Sequence, residues 1–395
     1  MNKKQREGYV NRLKKGIFAE CVLVLALAAL VVGRESLSED REAAGNMVLS
    51  IENDYIKWVD FTISYEALCK AYDWDVKTHG TEHEICWVDL LAYTAARTGG
   101  KFDNSALKTM DKAAKKLSEG EMTLEELSAD MKYYEYYQEA YDAAIGGLVG
   151  EYKREKTGDS SKTGANGESG SAGTEEAGRG GNTDPGCEAG ESASGTEYET
   201  VYGLKGYFPL ARGFDYTHYD DFGAGRSYGY KRKHLGHDMM GLVGTPIIAV
   251  ESGVVEALGW NQYGGWRIGI RSFDGKRYYY YAHLRQNYPY AEGLAEGSVV
   301  TAGDVIGYMG HTGYSAKENV NNIDVVHLHW GLQLIFDESQ KEGNNEIWID
   351  LYALTRFLAK HTQPAVKVEG TKEWRRTSYI VDPAVEEYEA GTQGR

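Results

Sequence analysis

The chain is 395 residues long, more than one ordinary compact core requires, so two or three domains are expected. Its formal net charge of -16 excludes a protein that holds nucleic acid by neutralising phosphates, because that needs basic surface. Four cysteines exclude a dense disulfide framework; Cys21 sits in an apolar run and Cys187 in a glycine-rich stretch, leaving Cys69 and Cys86 as the pair that could join.

In chain order, a basic tail over residues 1–16 carries Lys3, Lys4, Arg6, Arg12, Lys14 and Lys15, and an apolar segment broken only by Glu20 follows it. A basic flank before an apolar run at the start of a chain is an export or anchoring signal. The uninterrupted apolar part from Cys21 to Val32 has signal-peptide length, whereas residues 17–33 make a short transmembrane helix with Glu20 near its cytoplasmic end. No convincing cleavage site follows. A single-pass membrane anchor with everything after it outside is therefore expected, and secretion after cleavage is the alternative.

The first proline is Pro185, and the apolar spacing before it is mostly helical, so residues 34–156 read as an all-α accessory domain. Helices are predicted over residues 54–72 and 86–98 and from Thr123 onward, where Thr123 and Glu126 have capping-box spacing. The tyrosines between Tyr133 and Tyr141 recur at helical spacing and are expected to pack inward. From Thr157 to Gly195 the chain has no Val, Ile, Leu, Met, Phe, Trp or Tyr. Such a segment cannot bury a core, and residues 157–197 are expected to be a disordered, flexible tether. From Tyr198 the pattern changes to short alternating runs broken by glycine, which predicts a mostly antiparallel β domain over residues 198–362 that ends in a helix over 347–360. Residues 363–395 are expected to form a tail, disordered beyond Pro383. The predicted fold class is multidomain α plus β: membrane helix, all-α domain, Gly/Ser-rich linker, then an antiparallel β domain with a groove and a terminal helix.

Eight of the ten histidines follow residue 200, and three clusters stand out: His234-Leu235-Gly236-His237-Asp238, Tyr281-Ala282-His283-Leu284 and His327-Leu328-His329. Residues two apart on a strand project from one face, so His327 and His329 can address one point. His234 and Asp238 would lie about 13 Å apart on an extended strand, so the chain must curl there if both are to hold one ion, and Gly236 permits a turn. Neutral imidazole and carboxylate are ligands that zinc accepts, and a catalytic zinc keeps three protein ligands and an open fourth position. His234, Asp238 and one histidine of the pair satisfy that count, leaving the others for proton transfer.

Taken together these residues resemble the lysostaphin-type, or LytM-like, zinc metallopeptidases. The resemblance covers roughly residues 223–335. It rests on the His-x-Gly-x-Asp run at His234, the Gly-Thr-Pro-Ile run from Gly244, Tyr281-x-His283-Leu284, the glycine-punctuated stretch from Gly297 to Gly313, and His327-Leu-His329, in that order. It implies Zn2+ held by His234, Asp238 and His329, with His283 and His327 as catalytic histidines beside it. One of these two would serve as general base, and the other would orient water or stabilise the oxyanion. The implied reaction is hydrolysis of peptide cross-bridges or stem peptides of bacterial peptidoglycan; a glycine bridge, a D-Ala-linked bond and a D-Glu-linked bond all stay open. The alternative is an inactive scaffold of the same fold that binds a partner or activates another wall hydrolase. Implied partners are peptidoglycan, the membrane through the N-terminal helix, and proteins of division, sporulation or conjugation, with no nucleic acid.

The chain departs from the family's pattern between Gly313 and His327, where a longer connection predicts one remodelled groove wall. Gly264 and Gly265 would open the groove, and tyrosines or Trp266 could line it. His218, His237, His311 and His361 read as surface or groove-lining residues rather than ligands. His79 and His83 match an inverted zincin motif but read as a solvated loop, because glycine and a β-branched residue between them weaken the helix that motif requires.

Overall fold

The computed structural model describes residues 55–156, 197–228 and 230–393. The basic tail, the 17–33 anchor, residues 157–196 of the tether, Cys21 and Cys187 lie outside the described residues. Among the described residues no helix is long and apolar enough to cross a membrane.

Residues 55–64 are extended rather than helical, because burial there alternates: Phe61 and Ile63 face the core while Asp60 and Thr62 face solvent. The first helix, α1 (Tyr65–Thr78), starts where Ser64 Oγ accepts the Ala67 N–H. Helix α2 (Trp87–Thr98) is mostly buried and ends at Gly99, whose φ of 67° is the left-handed cap that glycine favours. Helix α3 (Asn104–Ser118) was not predicted. Its buried stripe is Ala106, Met110, Ala113 and Ala114, too small a set of side chains to give a strong apolar signal. The Thr123–Glu126 capping box forms, but the long helix expected after it is two: α4 (Leu124–Ser128) and α5 (Tyr134–Ile145). Tyr141 is buried, Tyr134 and Tyr137 are half-buried against the core, and Tyr133 is exposed. His79 caps α1, and the turn after it carries His83 to the surface. Cys69 and Cys86 are both free thiols.

The region is not all-α. Gly146 and Gly147 end the helical stretch, and strand β1 (Val149–Glu155) pairs antiparallel with β2 (Tyr198–Leu204) from Val149↔Leu204 to Glu155↔Tyr198. The Lys156 N–H then donates to the Glu197 carbonyl at 2.8 Å, so the two flanks of the expected tether run side by side. The described residues from Ile56 onward make one compact unit, and helical and β residues share one hydrophobic core.

The main sheet is antiparallel, with strands β3 (Thr217–His218), β6 (His237–Met240), β8 (Gly253–Asn261), β9 (Gly265–Ser272), β10 (Arg277–Ala282), β11 (Val299–Val300) and β13 (His327–Leu334) in the order β11-β8-β9-β10-β13-β6-β3. β14 (Ile347–Trp348) pairs on β13, and the hairpin β4 (Gly225–Tyr228) and β5 (Tyr230–Lys233) stands apart, as does β7 (Pro246–Ile248) paired with β12 (Val305–Tyr308). One sheet face is core: Ile268 and Ile270, Tyr279 and Tyr281, and Leu328, Trp330, Leu332 and Leu334 are buried. The alternate residues form the other face. The predicted C-terminal helix is shorter, α6 (Tyr352–Leu358), with Phe357 stacked on Trp87 of α2. The expected tail is structured: β15 (Ala365–Lys367) pairs β16 (Trp374–Arg376), β17 (Ile380–Val381) adds to β1, and α7 (Pro383–Gln393) follows.

Arg277 fastens helices to sheet. Fully buried, it donates Nε to Glu251 Oε2 at 2.7 Å and Nη2 to Oε1 at 3.1 Å, and Nη1 to the Asp142 and Ala143 carbonyls at the end of α5 at 3.1 and 3.0 Å.

Candidate metal centre

Strand register alone puts two of the five predicted residues together. His329 of β13 lies directly opposite Asp238 of β6, and both are on the face of the sheet away from the core. His234 reaches them from the segment between β5 and β6. Its Nδ1 lies 3.3 Å from the Asp221 carbonyl and 3.2 Å from Asp221 Oδ1; both can only accept, so Nδ1 carries the proton and Nε2 presents a lone pair. That Nε2 is 3.0 Å from Asp238 Oδ1 and 3.0 Å from His329 Nδ1, and His329 Nδ1 is 2.9 Å from Asp238 Oδ1. Gly236 serves this meeting through space rather than through a left-handed turn. A Cβ there would stand 2.5 Å from the His329 ring and 3.0 Å from the Trp330 carbonyl.

His327, two residues earlier on β13, turns its Nε2 toward Asp238 Oδ1 at 3.7 Å and donates Nδ1–H to the Val325 carbonyl at 2.8 Å. His283 follows β10 with a left-handed φ of 63°, a conformation that costs a β-carbon residue free energy. It is held there by its N–H to the Gly264 carbonyl at 2.7 Å and its Nδ1–H to the Thr312 carbonyl at 3.0 Å. Thr312 is itself pinned, its hydroxyl donating to the Leu284 carbonyl at 2.6 Å. The His283 and His327 rings are 4.7 Å apart, each with Nε2 free of the backbone bond that fixes its tautomer.

The electrostatics suit this division. Burial alone would raise the Asp238 carboxyl, but bonds to His234 and His329 outweigh it and hold the group far below the carboxylate range. Burial lowers His283 well below the ordinary histidine value and also lowers His327, so both are neutral near pH 7 and able to take a proton. For His234 the hydrogen bond and charge of Asp238 overcome burial and raise it, so a proton at Nε2 competes with a cation for the lone pair.

His234 Nε2, His329 Nδ1 and Asp238 Oδ1 are thus three ligand atoms converging on one point, and they are the group among the described residues able to hold a metal ion. A single proton can bridge two of them. A cation satisfies all three, and two imidazole nitrogens with one carboxylate oxygen are a donor set that fits zinc with a fourth position open.

The centre lies in a cleft of about 580 Å³. Tyr263, Tyr278, Tyr280, Tyr314 and Trp348 line it, but Trp266 does not. On β9 Trp266 shares the core face with Ile268, and the neighbouring Arg267 takes the cleft face. Gly264 lines the cleft, where a Cβ would collide with the Tyr280 hydroxyl; Gly265 lets the chain seat against the Thr312 backbone. The long connection after Gly313 contributes Tyr314 to the wall. Of the other histidines, His218 and His237 bond to each other at 2.8 Å, His311 bonds the Ile323 carbonyl at 2.7 Å, and His361 stacks on Tyr207. Sequence reasoning missed Asp221, Arg226 and Arg232. Only the basic run around Arg232 could have signalled the last.

Residues 232–342 match peptidase family M23. L-Ala--D-Glu endopeptidase of Bacillus subtilis (strain 168) is 39% identical over 150 residues, 38% of this chain and 44% of that protein. Lysostaphin of Staphylococcus simulans is 36% identical over 89 residues, 22% of this chain and 17% of that protein. The chain spans less than half the length of either relative. The solved catalytic domain of Staphylococcus simulans lysostaphin covers 36% of this chain and 92% of that one at 29% identity and a TM-score of 0.28.

Proposed function

We propose, from the premise that residues 232–342 are a peptidase family M23 domain, that the chain is a zinc-dependent endopeptidase cutting the peptide part of bacterial peptidoglycan. The observation that carries this reading is the convergence of His234 Nε2, His329 Nδ1 and Asp238 Oδ1 within 3.0 Å of one another, with two neutral, backbone-tethered imidazoles beside them. A bound zinc ion would supply Lewis-acid charge for the scissile carbonyl and for water. Asp221 orients His234 for that ion, and Asp238 contributes the negative charge of the ligand set. His283 and His327 are the catalytic histidines: one accepts the proton of the attacking water through Nε2, and the other orients that water by accepting its second O–H at its own Nε2. Their Nδ1–H bonds to Thr312 and Val325 keep both lone pairs aimed inward. The N-terminal basic and apolar segments support a single-pass anchor with the peptidase outside the membrane, where its polymer lies.

The test is digestion of purified peptidoglycan by the full chain, with product masses read out. New amino groups are expected with zinc present and none after chelation or in His234→Ala. Stoichiometric zinc with no cleavage would instead favour a scaffold of the same fold.

A further inference from the structure

The cleft wall carries a second recognition element beside the metal centre. Although the chain as a whole is at -16, Arg226, Arg232, Lys233, Arg267 and Lys341 line the cleft. Two of these cations are already paired. Arg226 meets Asp221 and Asp238, and Lys341 meets Glu256. Arg232 and Arg267 have no ion-pair partner among the described residues, and Arg232 Nη1 and Arg267 Nε are buried nitrogens with no hydrogen-bond partner. Half-satisfied guanidinium groups inside a cleft are costly unless something completes them.

Arg232 is the better placed of the two. Its guanidinium lies over the rings of Tyr263 and Tyr314, at 5.3 and 5.0 Å, and its Nη2 donates to the Tyr314 hydroxyl at 2.7 Å. These contacts fix the planar fork and leave its buried Nη1 without an acceptor. Tyr314, in turn, stands 6.0 Å from the His283 ring, so the unsatisfied guanidinium is one tyrosine ring away from the reacting centre. A rigid guanidinium fork matches a carboxylate. A glycine bridge has no side-chain charge to offer it, whereas a stem peptide has free carboxylates.

We infer that Arg232 is a specificity residue that binds a substrate carboxylate next to the scissile bond, so that the cleft takes anionic stem peptides in preference to neutral glycine bridges. The inference rests on the peptidase reading for its substrate, but binding can test it without turnover. Calorimetry would use the zinc-loaded full chain in a His327→Ala background, which slows cleavage. The probes, all acetylated at the N-terminus and amidated at the C-terminus, are a synthetic L-alanyl-γ-D-glutamyl peptide with its α-carboxylate free, the same peptide amidated at that carboxylate, and pentaglycine. The free-carboxylate peptide is expected to bind about tenfold tighter than either neutral probe, a difference of about 1.4 kcal/mol. Arg232→Gln should bring that ratio to about one, and Arg232→Lys, with charge but no fork, should fall between them; zinc content reports whether each variant is folded. Equal binding of the three probes, or a preference undiminished in Arg232→Gln, overturns the inference. Cleavage by the chain with His327 intact is scored separately. Carboxylate-dependent binding without cleavage sinks the peptidase reading alone, and cleavage without carboxylate preference sinks this inference alone.

Discussion

Glu251 and Asp238 are both carboxylates drawn into the fold beside strongly polar partners, yet their surroundings are completed in opposite ways. Around Glu251 the polar atoms close on one another: Arg277 takes both oxygens, the Tyr279 hydroxyl adds a bond at 2.7 Å, and Asp274 holds Arg277 Nη2 at 2.7 Å. Around Asp238 they converge without closing, because His234 has spent its proton on Asp221 and its lone pair faces two other ligand atoms. A closed buried network is a joint that fixes two parts of a fold. An open one is a socket, and it marks where an ion and chemistry belong.

Exchanging the roles of the two carboxylates gives the largest effects. Asp238→Ala should remove zinc from the purified chain and lower peptidoglycan hydrolysis by about a thousandfold, the several kcal/mol of charge stabilisation that a metal supplies, while urea unfolding of the zinc-free protein stays cooperative. Glu251→Gln should do the reverse. It leaves the buried Arg277 with only the more exposed Asp274 as counter-charge, so unfolding free energy should fall by about 3 kcal/mol while zinc content per folded molecule is retained. Loss of zinc in Glu251→Gln, or a large loss of apo stability in Asp238→Ala, would break the distinction between joint and socket.

A smaller effect sharpens it. Gly236→Ala leaves every ligand in place but puts a Cβ against the His329 ring and the Trp330 carbonyl, and the backbone oxygen cannot yield as a side chain can. Zinc affinity should fall about 10- to 100-fold, the usual cost of disturbing what orients a ligand, with a competing chelator as the readout.

The site was far more legible in the sequence than the architecture around it. The five residues carry their chemistry in their own side chains, and the two-residue period of His327 and His329 follows from strand geometry. What orients them was hidden. Val325 and Thr312 act through backbone carbonyls, which any residue type offers, and Asp221 and Arg232 become relevant only once the β4–β5 hairpin folds beside the cleft. Helix α3 escaped because alanines bury little area. β1 escaped because its partners, β2 and β17, lie beyond the 157–196 segment, so nothing local to Val149–Glu155 announced a sheet. The joint at Arg277 was equally silent, since its carbonyl acceptors on α5 are more than a hundred residues away.

His361 gives the smallest and most selective contrast, a half-buried polar group that is closed like Glu251 but can titrate in the accessible pH range. Its Nδ1–H donates to the Gly206 carbonyl at 3.0 Å and its ring stacks on Tyr207 at 3.9 Å, and burial lowers its pKa below the ordinary value. In the unfolded chain the imidazole protonates near the usual value of about 6.5. Below that pH the unfolded state therefore holds a proton that the folded state refuses, and stability must decline as pH falls. Above it neither state is charged, and the contribution of His361 is fully present. Subtracting the urea midpoints of zinc-free His361→Gln from those of the zinc-free parent isolates this residue from the histidines of the socket. The difference should be flat above about pH 6.5 and change steadily below it. A difference that is flat throughout would mean that His361 protonates in place, and that the second closed network is looser than its hydrogen bond and stacking imply.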